Sequence, residues 1–411
     1  MGYPELDLNL TDEEKALRDV MRKFGAEVVR PAGIELDKMG DPADVIAEGS
    51  VLWDVFRKYR ELGFHKRGFP KALGGMAEDI GPMGSVLMGE ELGYADAGLA
   101  ISLGVSGSGF GNLAMSPDPE FQELAKAYLE DLDCTMIGCW AITEPDHGSD
   151  WILAADKTFM DPKTSPSLKA VLDGDEYILS GQKSAWVSDG TIATHASLHV
   201  ALDPSKGMQG TGLAFVPLDL PGISRGKPLD KIGQRALNQG EIFFDNVRIP
   251  QKYMLVSDPE MASQAGLMTV ILTGANTGMS VTFAGLARAA FDEALQYAKE
   301  RVQGGKPIIE HQNIKLKLMD MFTRVEASRS LARRTALYNA ANPPGSPQHA
   351  VAAKVLSTES AFKVASEAIQ VFGGNGLSRE YVIEKIFRDA RASMIEDGSN
   401  EALSITAAIY L

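Results

Sequence analysis

The sequence predicts an α+β protein of several domains, in which helical regions at both ends of the chain flank a region of strands. Apolar residues recur at helical spacing up to about residue 135, and this spacing returns after about residue 260. Between them, over residues 137–250, short apolar segments alternate with turn residues. At roughly 100–200 residues per domain, the 411 residues predict two to four domains.

The first helical region begins with a capping-box pattern, Thr11 followed by Glu14, which is typical of a helix start. Leu17, Val20 and Phe24 follow at helical spacing. Further helices are predicted in this region at about Met83–Tyr94 and Phe121–Asp133.

The middle region contains segments such as EYILSGQKSAWV, GLAFVPL and GEIFFDNVRIP. Short strands with Gly, Asp and Pro between them predict an antiparallel sheet or barrel. No Gly-x-Gly-x-x-Gly motif follows a predicted strand, so a redox cofactor would not be held by a Rossmann unit.

The last region carries long helical patterns joined by short links, which favours a bundle. The predicted helices are Ala284–Arg301, Ile314–Ala341, Ala350–Phe372 and Val382–Met394.

The charge balance argues against a nucleic-acid partner, because a net charge of −15 repels phosphate backbones. Cys134 and Cys139 form a single pair, which is too few for a structural zinc site, and we expect buried free thiols in a reducing compartment. His195 and His199 lie in an alternating apolar segment typical of a strand. We therefore expect no metal site.

A membrane location is not expected from the sequence. The acidic N-terminal segment lacks the apolar stretch of a signal peptide. The long uncharged stretches Ala97–Met115 and Met261–Ala287 are interrupted by Gly, Ser or Thr, unlike a membrane span. We expect a cytoplasmic protein without a membrane-spanning helix.

Four segments carry polar groups suited to chemistry. In Trp140–Asp150 a strand ends in a turn whose hydroxyls and amides could donate to a heterocycle or a phosphate. In Gly181–Gly190 an indole and a hydroxyl could pack against a ring and bond its edge. Taken alone, each segment is also explained by a strand and a polar turn. The third segment, Asp230–Pro250, taken alone indicates only a hairpin.

The fourth segment begins at Ala368 and continues to Ser399. Glycines 373, 374 and 376 follow a helix and would allow the backbone to approach a ligand closely. Asp397 precedes a Gly-Ser pair on an irregular stretch and is a plausible general base. A helix cap followed by a solvated acidic turn is the alternative explanation.

Together, these segments in this order and with these gaps resemble the acyl-CoA dehydrogenase family. The resemblance extends from about residue 8 to the C-terminus and includes Gly285–Arg301 with His311-Gln312 after it. It implies an N-terminal helical domain at residues 1–136, a middle antiparallel β-barrel at 137–255 and a C-terminal four-helix bundle at 256–411.

The resemblance also implies non-covalently bound FAD, an acyl-CoA substrate, an electron-transferring flavoprotein as acceptor and a homotetramer. In that reaction Asp397 would remove the proton α to the thioester while a hydride leaves the β carbon for flavin N5. The residues that would contact FAD are Trp140, Ile142, Thr143, Ser149, Trp186, Ser188 and Ser399, with Arg301, Gln312, Gln370 and Gly374 reaching the FAD of a neighbouring subunit. Ser149, Glu396 and Gly398 would contact the substrate.

This sequence departs from the family pattern at the base. Asp397 stands where the family usually has glutamate, and Glu396 where it commonly has tyrosine. Aspartate is shorter by one methylene, about 1.5 Å, which would leave room beside the α carbon for a ring or a branch. Thr273 and Asn276 occupy positions where an aspartate and an arginine usually lie near CoA.

Two further departures concern the flavin. Gly304 stands where an aromatic residue usually helps cover it, and one extra residue separates Lys183 from Trp186. Two other functions remain open: an oxidase resembling nitroalkane oxidases that uses the same aspartate base, and a flavin-fold protein without enzymatic activity.

Overall fold

The computed structural model describes residues 5–7, 9–154, 156–258 and 267–411. The element order is helical, then strand-rich, then helical, as predicted. The helices of the first region are α1 (Asp12–Phe24), α2 (Arg30–Lys38), α3 (Pro42–Val45), α4 (Val51–Glu61), α5 (Ala77–Ala95), α6 (Ala97–Val105), α7 (Phe110–Ala114) and α8 (Pro119–Glu130).

The predicted capping box starts α1. The backbone N–H of Glu14 donates to Thr11 Oγ1 at 3.1 Å, and the N–H of Thr11 donates to the Glu14 carboxylate at 2.9 Å. Two orphan N–H groups are thereby satisfied at the helix start. Met21 and Phe24 then bury one face of α1 in the core of this region.

The middle region forms one eight-stranded sheet in the order β6-β7-β3-β2-β4-β5-β8, with β1 paired beside β4. The strands are β1 (Gly138–Ala141), β2 (Lys169–Asp173), β3 (Glu176–Ser188), β4 (His195–Ala201), β5 (Thr211–Pro217), β6 (Ile223–Arg225), β7 (Gln239–Pro250) and β8 (Met254–Val256). A two-residue hairpin, β9 (Val302–Gln303) with β10 (Lys306–Pro307), follows later in the chain.

The prediction of an antiparallel β-barrel was wrong in two respects. Within the described residues β6 and β8 end the sheet without pairing to each other, so the sheet is open. Strand β4 also pairs in parallel with β1 and β2. Alternating apolar residues specify a strand and its buried face, but not its partner, so closure could not be read from the pattern.

The last region is helical, and three of the predicted helices lie near their expected bounds, whereas the first begins at Leu267 instead of Ala284. The helices of this region are α9 (Leu267–Glu300), α10 (Gln312–Ala341), α11 (Pro347–Phe372), α12 (Ile383–Ala392) and α13 (Asn400–Ala407). Helices α9, α10 and α11 pack on one another, and α9 also packs on α5. A helical C-terminal region is thus confirmed, while the four-helix bundle stays a prediction.

One helix among the described residues is long and apolar enough to cross a membrane. It is Met268–Glu300, and 61% of its apolar window is buried inside the protein. Burial of that kind is also found in core helices of large helical domains. Part of the uncharged stretch Met261–Ala287, residues 261–266, lies outside the described residues.

The cysteines and histidines take structural positions. Cys134 and Cys139 are buried and free, as predicted. His195 and His199 lie on β4, where His195 stacks on Phe215. No group of three or more His, Cys, Asp or Glu side chains suited to a metal occurs in the described part of the chain.

A buried ion cluster joins the three regions. Lys385 of α12 contacts Asp96, the N-cap of α6, and Asp389 on its own helix, each at 2.5 Å. The backbone N–H of Gln234, in the loop before β7, donates to the other oxygen of Asp389 at 2.5 Å. This cluster fixes α12 against both other regions.

A second buried ion pair holds α5 against α10. Both oxygens of Glu90 accept hydrogen bonds from Arg333, each at 2.7 Å, and Arg329 lies 3.5 Å from the same carboxylate. All three side chains are buried. Removing one partner of such a pair leaves an uncompensated buried charge.

We expect Glu90→Ala to lower the free energy of unfolding by about 3 kcal/mol, because Arg333 and Arg329 would lose their most deeply buried partner and keep only more exposed carboxylates, those of Glu5, Asp7 and Glu326. The matched control is Asp320→Ala on α10, which removes a half-exposed partner of Arg324 and should cost less than about 1 kcal/mol. Denaturant unfolding followed by tryptophan fluorescence measures both. Equal losses in the two variants would contradict a structural role for the Glu90 pair.

Candidate functional site

Asp397 lies on a tight turn between α12 and α13. Its φ is 52° and that of Gly398 is 93°, so two consecutive residues have left-handed backbone conformations. A non-glycine residue in this region is uncommon, although aspartate tolerates it better than most. The turn is closed by the N–H of Asn400, which donates to the Met394 carbonyl at 3.0 Å. Ser399 caps α13 through its hydroxyl.

The turn is held from two sides. The N–H of Ser399 donates to Ser149 Oγ at 3.0 Å, which ties the turn to the loop after β1. From the other side, Lys354 Nζ of α11 donates to the Gly398 carbonyl at 3.0 Å and to Asn400 Oδ1 at 2.9 Å. Strained backbone persists only where its surroundings determine it fully, and these contacts supply that determination.

Two neighbouring carboxyl groups dominate the electrostatics of the turn. Burial raises the pKa of Asp397, and the nearby Lys354 ammonium lowers it. Burial raises the pKa of Glu396 to about 7, while a hydrogen bond from Gln234 opposes the rise and the charge of Asp397 adds to it. The Gln234 amide donates to Glu396 Oε1 at 2.7 Å. The two acids therefore sit in different environments, and only Glu396 is bound to the loop before β7.

The segment after β1 is held by a buried ion pair. Lys183 Nζ contacts Glu144 Oε1 at 2.7 Å and donates to the Ile142 carbonyl at 3.1 Å. The Thr143 carbonyl accepts from the N–H of Ser184 at 2.9 Å. Ile142 and Thr143 are therefore positioned by β3, the strand that also carries Trp186.

Trp140 points to the other side of this segment. Its indole Nε1 donates to His199 Nε2 at 2.9 Å. Burial lowers the pKa of His199 to about 3, so the ring is neutral and can accept this bond. The Trp140 indole nitrogen is thereby bound within the sheet.

Trp186 and Ser188 lie at the end of β3, where its pairing with β7 is irregular between Lys183 and Val187. The extra residue noted in the sequence falls in this interval. Trp186 is 58% exposed. The amide of Gln239 donates to the Trp186 carbonyl and to Ser188 Oγ, both at 3.2 Å. The irregular pairing accompanies an indole left at the surface.

A separate cavity of about 750 Å³ gathers three of the other predicted residues, Arg301, Gln370 and Gly374. Gln312 does not line it, but begins α10 between the lining residues His311 and Asn313. Gly304, where the family has an aromatic residue, lines it too. The space beside the Gly374 Cα is open, since an added Cβ would meet nothing within 4 Å. Within the described chain, the side chain of Arg301 forms no ion pair.

Thr273 and Asn276, at the positions where the family has charged residues near CoA, face the protein interior. Thr273 Oγ1 donates to the Thr269 carbonyl at 2.6 Å, and the Asn276 amide donates to the Leu272 carbonyl at 2.8 Å. Both side chains are buried. Both side chains make their hydrogen bonds within α9. They therefore do not take the place of the charged aspartate and arginine that the family usually has near CoA.

The sequence reasoning missed Gln234 and Lys354. Gln234 lies in a segment read only as a hairpin, and its left-handed φ of 49° leaves no signal in the residue type. Lys354 interrupts the apolar run AVAAKVL of a predicted helix. A charged residue on an apolar helix face needs a partner, and this signal could have been used.

Family models match three consecutive parts of the chain. The N-terminal domain of acyl-CoA dehydrogenases matches residues 11–123, the middle domain 139–247 and the C-terminal domain 267–408. These matches define the class of protein as an FAD-dependent oxidoreductase.

Individual relatives agree with the family models. Cyclohex-1-ene-1-carbonyl-CoA dehydrogenase of Geobacter metallireducens is 30% identical over 96% of this chain and 96% of its own. Butyryl-CoA dehydrogenase of Megasphaera elsdenii is 27% identical, with a TM-score of 0.85 over 98% of this chain and 99% of its own. A structure described as the electron transferring flavoprotein of Acidaminococcus fermentans contains a chain that is 27% identical, with a TM-score of 0.84 and coverage of 98% and 99%. The protein belongs to the acyl-CoA dehydrogenase family.

We expect Glu396→Gln to stabilise the protein at pH 8 more than at pH 5. Because the pKa of Glu396 is raised to about 7, the folded state holds its proton more tightly than the unfolded chain does. The stability from this group is full below the usual glutamate pKa and is lost as pH rises towards 7. Between pH 5 and pH 8 the wild type should lose about 2–3 kcal/mol of folding stability through this group, and the variant should not.

Melting temperatures of wild type and variant across this pH range measure the difference, in which contributions from unchanged groups cancel. Glu380→Gln, at an exposed position, is the control for the same change of charge. A Glu396→Gln difference that stays constant from pH 5 to pH 8 would show that Glu396 is not a perturbed acid.

Proposed function

We propose that this protein is an acyl-CoA dehydrogenase in which Asp397 is the base that removes the proton α to the thioester. The observation that carries the proposal is the left-handed turn of Asp397, which is tied to Ser149 through the N–H of Ser399, with the neighbouring acid Glu396 held by Gln234. The relatives found are acyl-CoA dehydrogenases and do not favour an activity like that of nitroalkane oxidases.

The residues present fit FAD. An exposed indole at Trp186 beside the Ser188 hydroxyl suits the face and edge of a flavin ring. The cavity with Arg301, Gln370 and the open backbone at Gly374 suits a pyrophosphate. FAD, when bound, supplies the acceptor for the hydride. We assign Ile142, Thr143, Ser149 and Ser399 to the same cofactor site, with Trp140 behind it and Gln312 beside the cavity.

The backbone of the turn offers a donor for the thioester oxygen. The N–H of Asp397 makes no hydrogen bond to any other described group. A donor fixed beside the base stabilises the negative charge that develops on that oxygen as the α proton leaves. We assign Glu396 and Gly398, with Ser149, to the substrate side of the turn.

We propose that the substrate is a branched or cyclic acyl-CoA. The shorter aspartate draws its carboxylate back by about 1.5 Å, the length of one C–C bond, and the space gained lies beside the α carbon. A relative whose name specifies a cyclohexene-carbonyl substrate supports this choice.

We further propose a cytoplasmic homotetramer that passes electrons to an electron-transferring flavoprotein. Exposed apolar side chains on α10, Leu316 at 73% and Met319 at 60%, favour self-association. The structural similarity to a chain described with an electron transferring flavoprotein supports that acceptor.

We expect Asp397→Asn to slow flavin reduction by about 10²–10⁴-fold, because the amide has the shape of the carboxylate but cannot accept the α proton. The measurement is anaerobic bleaching of the visible flavin absorbance by straight, α-branched and cyclohexane-carboxyl thioesters in a stopped-flow instrument. Glu396→Gln tests the adjacent acid: it changes a substrate contact and can raise KM, but it should retain most of the rate of flavin reduction because Asp397 still accepts the proton. The reverse pattern would move the base to Glu396.

We expect Asp397→Glu to shift preference from cyclic to straight substrates, since the added methylene fills the space beside the α carbon. The ratio of kcat/KM for butyryl-CoA to that for cyclohexane-carboxyl-CoA should rise by about 10-fold or more. An unchanged ratio would mean that the length of the base does not set substrate shape in this enzyme.

A further inference from the structure

Three lysines are fully or almost fully buried in the described part of the chain, and they differ in their partners. Lys183 contacts Glu144, and Lys385 contacts Asp96 and Asp389, all within 2.7 Å. Burying an ammonium costs several kcal/mol, and these carboxylates offset that cost.

Lys354 is as deeply buried, yet its acceptors are neutral. Its Nζ donates to the Gly398 carbonyl and to the amide oxygen of Asn400. Asn400 is itself buried, and its amide donates to Thr358 Oγ1 at 3.1 Å. No carboxylate of the described residues lies within 4.0 Å of the Lys354 ammonium. Direct contacts therefore leave the ammonium with neutral acceptors. Burial lowers the pKa of Lys354 to about 8, and the negative charges of the turn oppose that fall.

The charged groups around Lys354 belong mainly to the base turn. Asp397 and Glu396 lie on the turn, and Glu401 begins α13 after it. From the loop before β7, Lys231 faces Glu396. Of these, Lys354 is the cation that acts on Asp397. Its position behind the turn, on the rigid helix α11, keeps it clear of Ser149 on the other side.

We propose that Lys354 is a positioning residue of the reaction, which fixes the Asp397 turn through the Gly398 carbonyl and keeps the Asp397 carboxylate ionised through its charge. This inference rests on the proposed role of Asp397 as the base. The Gly398 carbonyl and the Ser399 N–H belong to one peptide unit, so Lys354 and Ser149 hold the two ends of the same peptide, directly after Asp397. The ammonium of Lys354 and the N–H of Asp397 would then both act on the transfer of the α proton to Asp397.

The test is the pH profile of kcat/KM for Lys354→Met, which keeps a long buried side chain but removes its charge. An opposite charge at short range lowers the pKa of a carboxyl by about 1–3 units. Its removal should therefore move the acidic limb of the profile to higher pH by about one unit, so that kcat/KM falls by about 10-fold on the acidic side of the limb and is unchanged on the alkaline side. Substrate KM should change little.

The controls separate this effect from a structural one. Lys363→Met lies on the same helix, at an exposed position, and should leave the profile unchanged. Asn400→Ala keeps the ammonium but removes one acceptor, so it should lower kcat without moving the acidic limb. FAD content and melting temperature identify a variant that is merely unstable. Lys354→Gln then serves as the second uncharged variant, with the same shift expected.

The outcomes are distinguishable from failure of the proposed function. A wild-type enzyme that oxidises no acyl-CoA would refute the function itself. A wild-type enzyme that is active, with Lys354→Met or Lys354→Gln retaining its acidic limb and kcat, would overturn the role of Lys354. A uniform loss at every pH would assign Lys354 to turn geometry alone and overturn its effect on ionisation.

Discussion

The position of the base turn depends on the ion cluster around Lys385. That ammonium is shared by Asp96 of the first helical region and Asp389 of α12, while Asp389 also receives the backbone N–H of Gln234. Asp96 and Asp389 together raise the pKa of Lys385, so it stays charged. Since α12 leads directly into the turn of Asp397, any shift of α12 would displace this proposed base relative to the strand-rich region.

Gln234 transmits this constraint to the site itself. Its N–H is held by Asp389, and its side chain holds Glu396. One residue in a left-handed conformation thus connects the structural cluster to the acid beside the base. The two acids of the turn are in this way given separate partners, with Gln234 on Glu396 and Lys354 near Asp397. Separate surroundings allow two adjacent carboxyl groups to differ in protonation.

Local sequence patterns predicted three features well. These are the order of the regions, the capping box at Thr11 and the helix Gln312–Ala341. Local patterns could not predict whether the sheet closes into a barrel, because closure depends on which strands pair with each other. Gln234 and Lys354 were missed for a related reason. Their roles arise from contacts with residues 162 and 44 positions away, respectively, in the chain.

The structure brings together several of the residues that the resemblance assigned to the site, while their roles stay a prediction. Ser149 and Ser399 were both assigned from sequence, and they are hydrogen-bonded. Arg301, Gln370 and Gly374 share one cavity, whereas Gln312 lies just outside its lining. Spacing along a helix gives the face of a side chain, but the lining of a cavity also depends on how neighbouring helices cross.

The left-handed backbone at Asp397 also bears on how such a site changes over evolutionary time. Aspartate adopts this left-handed conformation at a lower energetic cost than glutamate does. Replacing glutamate by aspartate at this position reduces strain in the backbone and also draws the carboxylate closer to it. A lineage could therefore drift towards new substrate shapes here without first acquiring compensating mutations elsewhere, since the fold does not oppose the step. The same turn that restrains the proposed base would leave the substrate specificity of the enzyme open to change.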